Sequence, residues 1–212
     1  MNSDPHLIPH WATAGLITID MQRDFLSDGP YGVPGTSEIL PELNRLATAF
    51  RDAGKPIVHI VRLYQGSDVD RVRRALIDGG ADFVRPGTPG RLLAPGLAPD
   101  AELDDNLLLK GEPQALGPKE YALFKPRWGA FYRTPLAELL ADHGVDTLVF
   151  AGCNMPNCPR ASIIEAHERD FRVVLATDAI SNDSDQGRRE IAGIGTSLMP
   201  ADEVIARVRS AA

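Results

Sequence analysis

The sequence predicts a single-domain, three-layer α/β/α protein with a mainly parallel central sheet of Rossmann-like topology. Short apolar runs rich in β-branched residues alternate with stretches whose apolar residues recur at helical spacing. The connections between them are short, as in βαβ units, which build parallel sheets covered on both faces. A length of 212 residues suits one domain spanning residues 1–212.

The first βαβ unit lies near the N-terminus. Residues 15–19 (GLITI) predict a buried strand that ends at the polar Asp20. A helix follows, with Ser37 as its N-cap and Gly54 just beyond its end. Its apolar positions are Ile39, Leu40, Leu43, Leu46, Ala47 and Phe50. Residues 56–61 (PIVHIV) then predict the second strand.

The same alternation returns in the C-terminal half. Thr134 and Pro135 predict the N-cap and first residue of a helix that is stopped by Gly144. The elements predicted after it are a strand at 145–151, a helix from Pro159 to about Asp170, a strand at 172–176 and a helix at 200–208.

Two segments stand apart from this alternation. Residues 1–13 form an N-terminal extension, and residues 64–100 are rich in Gly, Pro, Arg and Asp, with one helix at about 69–77. So long an irregular segment in a compact domain indicates a lid or a partner-contacting excursion. The arginines in this segment and just before it form a solvated face by default, but one of them could pair with a substrate carboxylate. They are Arg62, Arg71, Arg73, Arg74, Arg85 and Arg91.

Charge and composition exclude several classes of protein. The net charge of −7 (22 basic against 29 acidic residues) and the lack of a basic cluster with aromatics disfavour nucleic acid and anionic membranes as partners. No apolar run approaches the roughly 18 residues that a membrane-spanning helix needs. The first residues do not resemble a signal peptide, and two cysteines are too few for a secreted disulfide scaffold. A cytoplasmic location is therefore expected.

Asp20 directly follows the first predicted strand. A turn-forming or helix-capping aspartate is one interpretation of this position. The other is an active-site carboxylate, because ligands of open parallel sheets bind beyond the carboxyl ends of the strands. Burial there would raise the carboxyl pKa and make Asp20 a better proton acceptor.

Cys158 immediately precedes Pro159, and proline is favoured at the first position of a helix. Cys158 is therefore predicted to be the N-cap, where the helix N-terminus lowers a thiol pKa and backbone N–H groups can stabilise an oxyanion. We interpret Cys158 as a nucleophile and Cys153 as a core filler. The alternative is a redox or metal-holding module built on both cysteines. Their spacing is C-x₄-C and not C-x₂-C, and no second cysteine pair or nearby histidine completes a zinc site.

Lys125 follows an apolar stretch and, taken alone, is typical of a solvated surface residue. A cation near a thiol, however, lowers the thiol pKa and can orient a carboxylate beside it.

Three segments together resemble the isochorismatase-like cysteine hydrolases, which include nicotinamidases and N-carbamoylsarcosine amidase. They are residues 19–25 (IDMQRDF), residues 125–131 (KPRWGAF) with Thr134 and Leu136 behind them, and residues 152–158, with glycine six residues before the cysteine. The resemblance covers the chain from about Gly15 to Ala179.

The resemblance implies a catalytic triad of Asp20, Lys125 and Cys158. Asp20 would move the proton, Cys158 would attack a carbonyl carbon to give a thioester, and Lys125 would hold Asp20 and favour the thiolate. The backbone N–H groups of Asn154 and Cys158 would form the oxyanion hole, with a non-proline cis peptide before Asn154. A homodimer or homotetramer is also implied.

The chain departs from its relatives in the loop before Cys158, where relatives commonly have valine and threonine and this chain has Cys153 and Met155. Nicotinamidases carry a metal site of an aspartate and histidines after the second strand. No such cluster follows His59, which is expected to be a satisfied core histidine. We therefore expect no metal and no cofactor.

The function favoured by the sequence is hydrolysis of a C–N bond in a small amide, ureide or N-carbamoyl compound. Isochorismatase-type hydrolysis of a vinyl ether is the alternative, although those relatives do not need the cysteine. A non-catalytic protein is the other class considered. Phe25, Trp128 and Phe131 flank the proposed triad in sequence and are predicted pocket walls, with ordinary core aromatics as the competing interpretation.

Overall fold

The central sheet has seven strands in the computed structural model, which describes residues 4–98 and 102–212. The strands are β1 (Ala14–Ile19), β2 (Ile57–Val61), β3 (Gln114–Gly117), β4 (Glu120–Phe124), β5 (Thr147–Gly152), β6 (Arg172–Ile180) and β7 (Ser197–Met199). Their order is β3-β4-β2-β1-β5-β6-β7, and every neighbouring pair is parallel except β3 with β4. The mainly parallel sheet that the sequence predicts is confirmed.

Helices cover both faces of the sheet. They are α1 (Leu40–Asp52), α2 (Arg71–Asp78), α3 (Asp105–Leu109), α4 (Leu136–Asp142), α5 (Cys158–His167), α6 (Asp185–Gly193) and α7 (Ala201–Ser210). Buried side chains of α1 and α7 belong to one hydrophobic cluster, and those of α4, α5 and α6 belong to another on the opposite face. The three-layer prediction is therefore confirmed. Strands β1, β2 and β5 are buried at every position, as expected when a parallel sheet is covered on both sides.

Several predicted helix starts are wrong by one or two residues. The N-cap of α1 is Ile39, because the Ser37 hydroxyl instead accepts a hydrogen bond from Ser27 N at 3.0 Å. The N-cap of α4 is Pro135, because the Thr134 hydroxyl donates to the carbonyl of Ala130 at 2.5 Å. The Ser37 hydroxyl stabilises the preceding loop and does not cap α1, whereas the Thr134 hydroxyl also accepts a hydrogen bond from Leu136 N, the first N–H of α4, at 3.4 Å.

Some elements escaped prediction because they are short or polar. Strands β3 and β4 form an antiparallel pair at one edge, β7 has three residues at the other edge, and α3 has five residues. Helix α6 was not predicted from the sequence either. The strand predicted at residues 172–176 is longer in the structure, where β6 ends at Ile180.

The two irregular segments are folded against the domain. In the N-terminal extension, the His10 ring lies 2.7 Å from Asp146 and fastens the chain just before β1. Residues 64–98 contain α2 as predicted and cover the carboxyl edge of the sheet. Residues 1–3 of the predicted extension and 99–100 of the predicted lid lie outside the described part of the chain.

His59 is a satisfied core histidine, as predicted. Its ring is fully buried between the Thr18 hydroxyl and the Glu120 carboxylate, each at 2.8 Å. Arg51 adds two hydrogen bonds to the same carboxylate, at 2.7 and 2.8 Å. Burial by itself would raise the pKa of Glu120, but hydrogen bonds from His59 and Arg51 outweigh burial and lower the pKa to about 2.

The substitution Glu120→Gln is expected to lower the free energy of unfolding by about 2–3 kcal/mol at neutral pH. Because the folded-state pKa of Glu120 lies below its ordinary value of 4.5, its contribution to stability is present above that value and is lost as the pH falls to about 2. Urea unfolding of parent and variant across this pH range should show the difference shrinking with acidity. Glu112→Gln, at an exposed carboxylate, is the matched control. A difference that is independent of pH would contradict this assignment.

Candidate active site

The candidate site lies where four neighbouring parallel strands end. Asp20 follows β1, Arg62 follows β2, Lys125 follows β4, and residues 153–157 connect β5 to α5, which begins at Cys158. Since the strands are parallel and adjacent, their carboxyl ends meet at one edge of the sheet. The chain runs from β1 towards β2 and β4 on one side and later adds β5 on the other, which makes the β1–β5 boundary a topological switch point.

A cavity of about 290 Å³ opens at this edge. That volume corresponds to roughly ten water molecules of liquid, so the cavity suits a small ligand. Its lining consists of Asp20, Phe25, Val33, Arg62, Tyr64, Val72, Arg73, Trp128, Cys153, Asn154, Asn157 and Cys158.

Asp20 and Lys125 form a buried ion pair. Lys125 Nζ donates to Asp20 Oδ2 at 2.9 Å, and the two residues are 0% and 2% exposed. The interpretation of Lys125 as a solvated surface lysine is therefore wrong. The second carboxylate oxygen, Asp20 Oδ1, is buried, and no N–H or O–H group of the described residues donates to it. An unpaired buried carboxylate oxygen beside a cavity is well placed to accept a proton.

Cys158 is the first residue of α5, and Asn157 is the N-cap. The predicted N-cap position of Cys158 is thus wrong by one residue, although its place at the helix N-terminus is as expected. The peptide bond between Cys153 and Asn154 is cis, which agrees with the family resemblance. Among the described residues, the N–H groups of Asn154 and Cys158 have no hydrogen-bond acceptor, so both are free to donate.

Gly152 brings this loop close to Asp20. It adopts a φ of +121°, and a Cβ atom on it would lie 2.4 Å from the carbonyl oxygen of Ile19. Only glycine combines this backbone conformation with so close an approach. The glycine six residues before Cys158 therefore lets the end of β5 pack directly against the end of β1.

The pKa of the Cys158 thiol is raised, contrary to the prediction from its helix position. Burial is the main cause, and the neighbouring Asp20 carboxylate adds to it. The positive charges of Lys125 and Arg62 act in the opposite direction without cancelling these effects. The resting form of Cys158 is therefore a neutral thiol beside a carboxylate, and not a preformed thiolate.

Alkylation of Cys158 by iodoacetamide is expected to accelerate with pH and to reach half of its maximal rate above pH 9.0, the ordinary pKa of a cysteine thiol. Peptide mass spectrometry over a pH series separates Cys158 from Cys153. Burial raises the pKa of Cys153 to about 12, so this second thiol should react more slowly throughout. A midpoint well below the ordinary value would show instead that the site holds a thiolate at rest.

Arg62 is a site residue that the sequence does not single out. Its guanidinium is buried, with Nη1 3.1 Å from Asp70 Oδ2 and Nη2 3.9 Å from Cys158 Sγ. Burial opposes its charge, but Tyr64 and the neighbouring acidic groups outweigh burial and raise its pKa. The available signal was its position directly after a buried strand, which Asp20 and Lys125 share.

Gln22 and Asp24, in the IDMQRDF segment, hold neighbouring backbone in place through hydrogen bonds. The Gln22 amide accepts from Arg62 N at 2.7 Å and donates to the carbonyls of Arg62 and Arg91 at 2.8 and 2.7 Å. The Asp24 carboxylate accepts from Val84 N at 2.6 Å. These contacts fasten the 64–98 segment beside the cavity and fix the backbone that carries Arg62.

The lysine segment is fastened to α5. Ala130 N donates to the Ser162 hydroxyl at 3.0 Å, and that hydroxyl donates to the carbonyl of Cys158 at 2.7 Å. Phe131 N donates to the Glu165 carboxylate at 2.8 Å. Ser162 and Glu165 thus set the position of Trp128, which lines the cavity and is 39% exposed.

The three predicted pocket aromatics lie in different places. Phe25 and Trp128 line the cavity. Phe131 does not, because the turn after Trp128 directs its ring towards Phe171 at 5.8 Å and under the guanidinium of Arg169 at 4.9 Å. The interpretation of Phe131 as a core aromatic is the correct one.

Clustered metal ligands and membrane-spanning helices are both absent from the described part of the chain. Within residues 4–98 and 102–212, no group of three or more His, Cys, Asp or Glu side chains is arranged to hold a metal ion. None of the helices in this part of the chain is long and apolar enough to cross a membrane.

The chain is similar to known proteins over most of its length. The family model described as the isochorismatase domain matches residues 14–192. A probable inactive nicotinamidase of Arabidopsis thaliana is 33% identical over 80% of this chain and 81% of its own length. The ureidoacrylate amidohydrolase of Methylorubrum extorquens is 29% identical over 77% and 68% of the two chains. The maleamate amidohydrolase of Pseudomonas putida is 29% identical over 79% and 71%.

Solved structures show the same architecture. An isochorismatase family protein of Desulfovibrio vulgaris superposes with a TM-score of 0.78 and 31% identity, over 92% of this chain and 98% of that one. The N-carbamoylsarcosine amidase of Thermoplasma acidophilum gives a TM-score of 0.71 at 21% identity, over 90% and 97% of the two chains. At that identity, the second likeness concerns the fold alone.

Proposed function

The chain belongs to the isochorismatase family of hydrolases, and we propose that it cleaves a C–N bond of a small amide, ureide or N-carbamoyl compound by thiol catalysis. The observation that carries this proposal is one cavity that contains the Cys158 thiol, the Asp20 carboxylate and the free N–H groups of Asn154 and Cys158. A nucleophile, a base and an oxyanion hole are the parts that acyl transfer needs.

In the first step, Asp20 accepts the proton of the Cys158 thiol as Sγ attacks the carbonyl carbon. The C–S bond forms while the carbonyl π electrons move to oxygen, and the resulting oxyanion accepts hydrogen bonds from the N–H groups of Asn154 and Cys158. Because the resting thiol has a raised pKa, its proton has to be removed during the attack, which gives Asp20 its role.

Lys125 and Arg62 balance the charge that develops. Lys125 is paired with Asp20, and Arg62 Nη2 is 3.9 Å from Cys158 Sγ. As the proton moves from Cys158 Sγ to Asp20, negative charge develops on Sγ and on the carbonyl oxygen of the substrate, and these cations lie close to it. We therefore add Arg62 to the triad as a fourth catalytic residue.

In the second step, the tetrahedral intermediate collapses. The C–N bond breaks, protonated Asp20 gives its proton to the leaving nitrogen, and a thioester remains on Cys158. Water then attacks the thioester while Asp20 accepts a proton from it. The C–S bond breaks, protonated Asp20 returns its proton to the Cys158 thiolate, and the acid product leaves.

The relatives support this chemistry to different degrees. The amidohydrolases named for ureidoacrylate and maleamate support an amide or ureide substrate. The Arabidopsis relative is named as inactive, so the proposal of turnover depends on the geometry of this chain's own site.

Ammonia release from a panel of primary amides, ureides and N-carbamoyl amino acids tests the proposal. The parent protein is compared with protein whose Cys158 has been alkylated by iodoacetamide, which leaves the rest of the chain unchanged. We expect turnover of at least one class and its loss on alkylation. Vinyl-ether hydrolysis without ammonia release from any class would favour isochorismatase-type chemistry instead.

A further inference from the structure

The arginines in and beside the 64–98 segment differ in whether the described residues already provide hydrogen-bond acceptors for their guanidinium groups. Four of the six donate to carboxylate or carbonyl oxygens, namely Arg62, Arg74, Arg85 and Arg91. The other two, Arg71 and Arg73, have no acidic partner among the described residues. Of these two, only Arg73 lines the cavity that contains Cys158.

Arg73 is held in place by an aromatic ring. Its guanidinium carbon lies 5.2 Å from the centroid of Phe83, which is fully buried. Phe83 in turn packs against Phe25, Tyr31 and Tyr64, at centroid distances of 5.0, 4.7 and 5.6 Å. A guanidinium over a ring keeps its in-plane N–H donors available for a ligand. Arg73 is therefore a positioned cation whose N–H donors are not used by any residue in the described part of the chain.

The remaining charges of the cavity are compensated. Asp20 is paired with Lys125, and Arg62 is paired with Asp70. Arg73 contributes the one positive charge of the cavity lining that no described carboxylate balances. A planar guanidinium with free donors matches a carboxylate, with which it can form two parallel hydrogen bonds.

The same cavity also offers acceptors for an amide. Asp20 Oδ1 and Asn154 Oδ1 are buried and lack a donor among the described residues. A ligand with N–H groups and a carboxylate would therefore satisfy both the unpaired oxygens and the unpaired cation.

We propose that Arg73 binds a carboxylate of the substrate. The substrate class is then a small amide, ureide or N-carbamoyl compound that carries an ionised carboxyl group in addition to the carbonyl group that Cys158 attacks. This inference rests on the proposed function and narrows its substrate class. Within a cavity of 290 Å³, the whole substrate has on the order of ten non-hydrogen atoms.

Protection of Cys158 from iodoacetamide tests this substrate class without requiring turnover. Succinamate and glutaramate carry the carboxylate, whereas succinamide and glutaramide are their neutral counterparts. Each compound is titrated against the alkylation rate of Cys158, read by peptide mass spectrometry. We expect at least one of the anionic compounds to protect at a concentration at least about tenfold lower than its neutral counterpart.

Two variants of the same helix assign the effect to Arg73. Arg73→Gln is expected to abolish the preference for the anionic compound, and Arg73→Lys to restore part of it, because a lysine keeps the charge but not the fork of donors. Arg71→Gln, at an exposed position outside the cavity lining, is expected to keep the full preference. Thermal unfolding confirms that each variant is folded.

Three results would overturn the assignment of Arg73: equal protection by anionic and neutral compounds, protection by neither, or a preference that survives in Arg73→Gln. Failure of the proposed function is distinguishable from these. A carboxylate preference without ammonia release from any amide would contradict C–N bond hydrolysis, whereas ammonia release from neutral amides without a preference would contradict only the role of Arg73.

Discussion

Replacing Cys158 by alanine is expected to reduce kcat for amide hydrolysis by about 10⁴-fold or more. The variant keeps the cavity, the Asp20–Lys125 pair and the start of α5, but it has no atom that can form the thioester. Because the residues of a nucleophilic site act as a unit, Asp20 and the oxyanion hole cannot compensate for the missing sulfur. Ammonia release under substrate saturation measures the effect.

The second thiol of the chain provides the matched control. Cys153 is buried, lines the same cavity and has a pKa raised to about 12, mainly by burial. Cys153→Ser keeps its size and its hydrogen-bonding contacts with Thr36 and Ser181. We expect this variant to stay within about tenfold of the parent. If Cys158→Ala retained turnover while Cys153→Ser lost it, the nucleophile would be wrongly assigned.

Replacing Asp20 by asparagine is expected to reduce turnover by about 10³-fold while making Cys158 more reactive towards iodoacetamide. The two effects have opposite signs because Asp20 has two influences on the thiol. Its negative charge raises the pKa of Cys158, so its removal lowers that pKa and increases the thiolate fraction at a given pH. Its oxygen is also the proposed proton acceptor and donor, which asparagine cannot replace.

This divergence separates a catalytic role from a structural one. A variant that had merely lost its fold would lose turnover together with selective alkylation of Cys158. Asparagine can still accept a hydrogen bond from Lys125, so the variant should fold. If Asp20→Asn lowered turnover and also slowed alkylation of Cys158, Asp20 would be supporting the site and not transferring protons in it.

The central part of the fold could be predicted because its signals are local and strong. Strands β1, β2 and β5 are continuous apolar runs bounded by turn residues, and α1 has a sustained helical period. The edges could not be predicted in this way. Strand β7 has three residues, which is too short for a periodicity to show.

The residues of the proposed site could be located in the sequence because each follows a strand or begins a helix. Asp20, Lys125 and Cys158 are visible as polar interruptions in apolar sequence, and the three-segment resemblance linked them. Arg62 has the same position after β2, but a run of other arginines behind it made it look like part of a solvated face. Its pairing with Asp70 depends on how the 64–98 segment folds back, which is a tertiary property.

Two further features depend on packing that no local pattern encodes. The pKa of Cys158 was expected to fall because of the helix N-terminus, whereas burial and Asp20 raise it. The orientation of Phe131 away from the cavity follows from the contacts of its segment with α5 through Ser162 and Glu165. Both depend on distances between elements that are far apart in sequence.

The central claim is that an acyl group is transferred to Cys158 during turnover. It is tested most directly by quenching the protein in acid during hydrolysis of a substrate and measuring its intact mass and the mass of the Cys158 peptide. We expect an added mass equal to the substrate minus the ammonia or amine that leaves, located on Cys158, and diversion to a hydroxamate when hydroxylamine is present with a simple amide substrate. Turnover with no adduct at any quench time and no hydroxamate would contradict a covalent mechanism and leave direct attack of water as the reaction of this site.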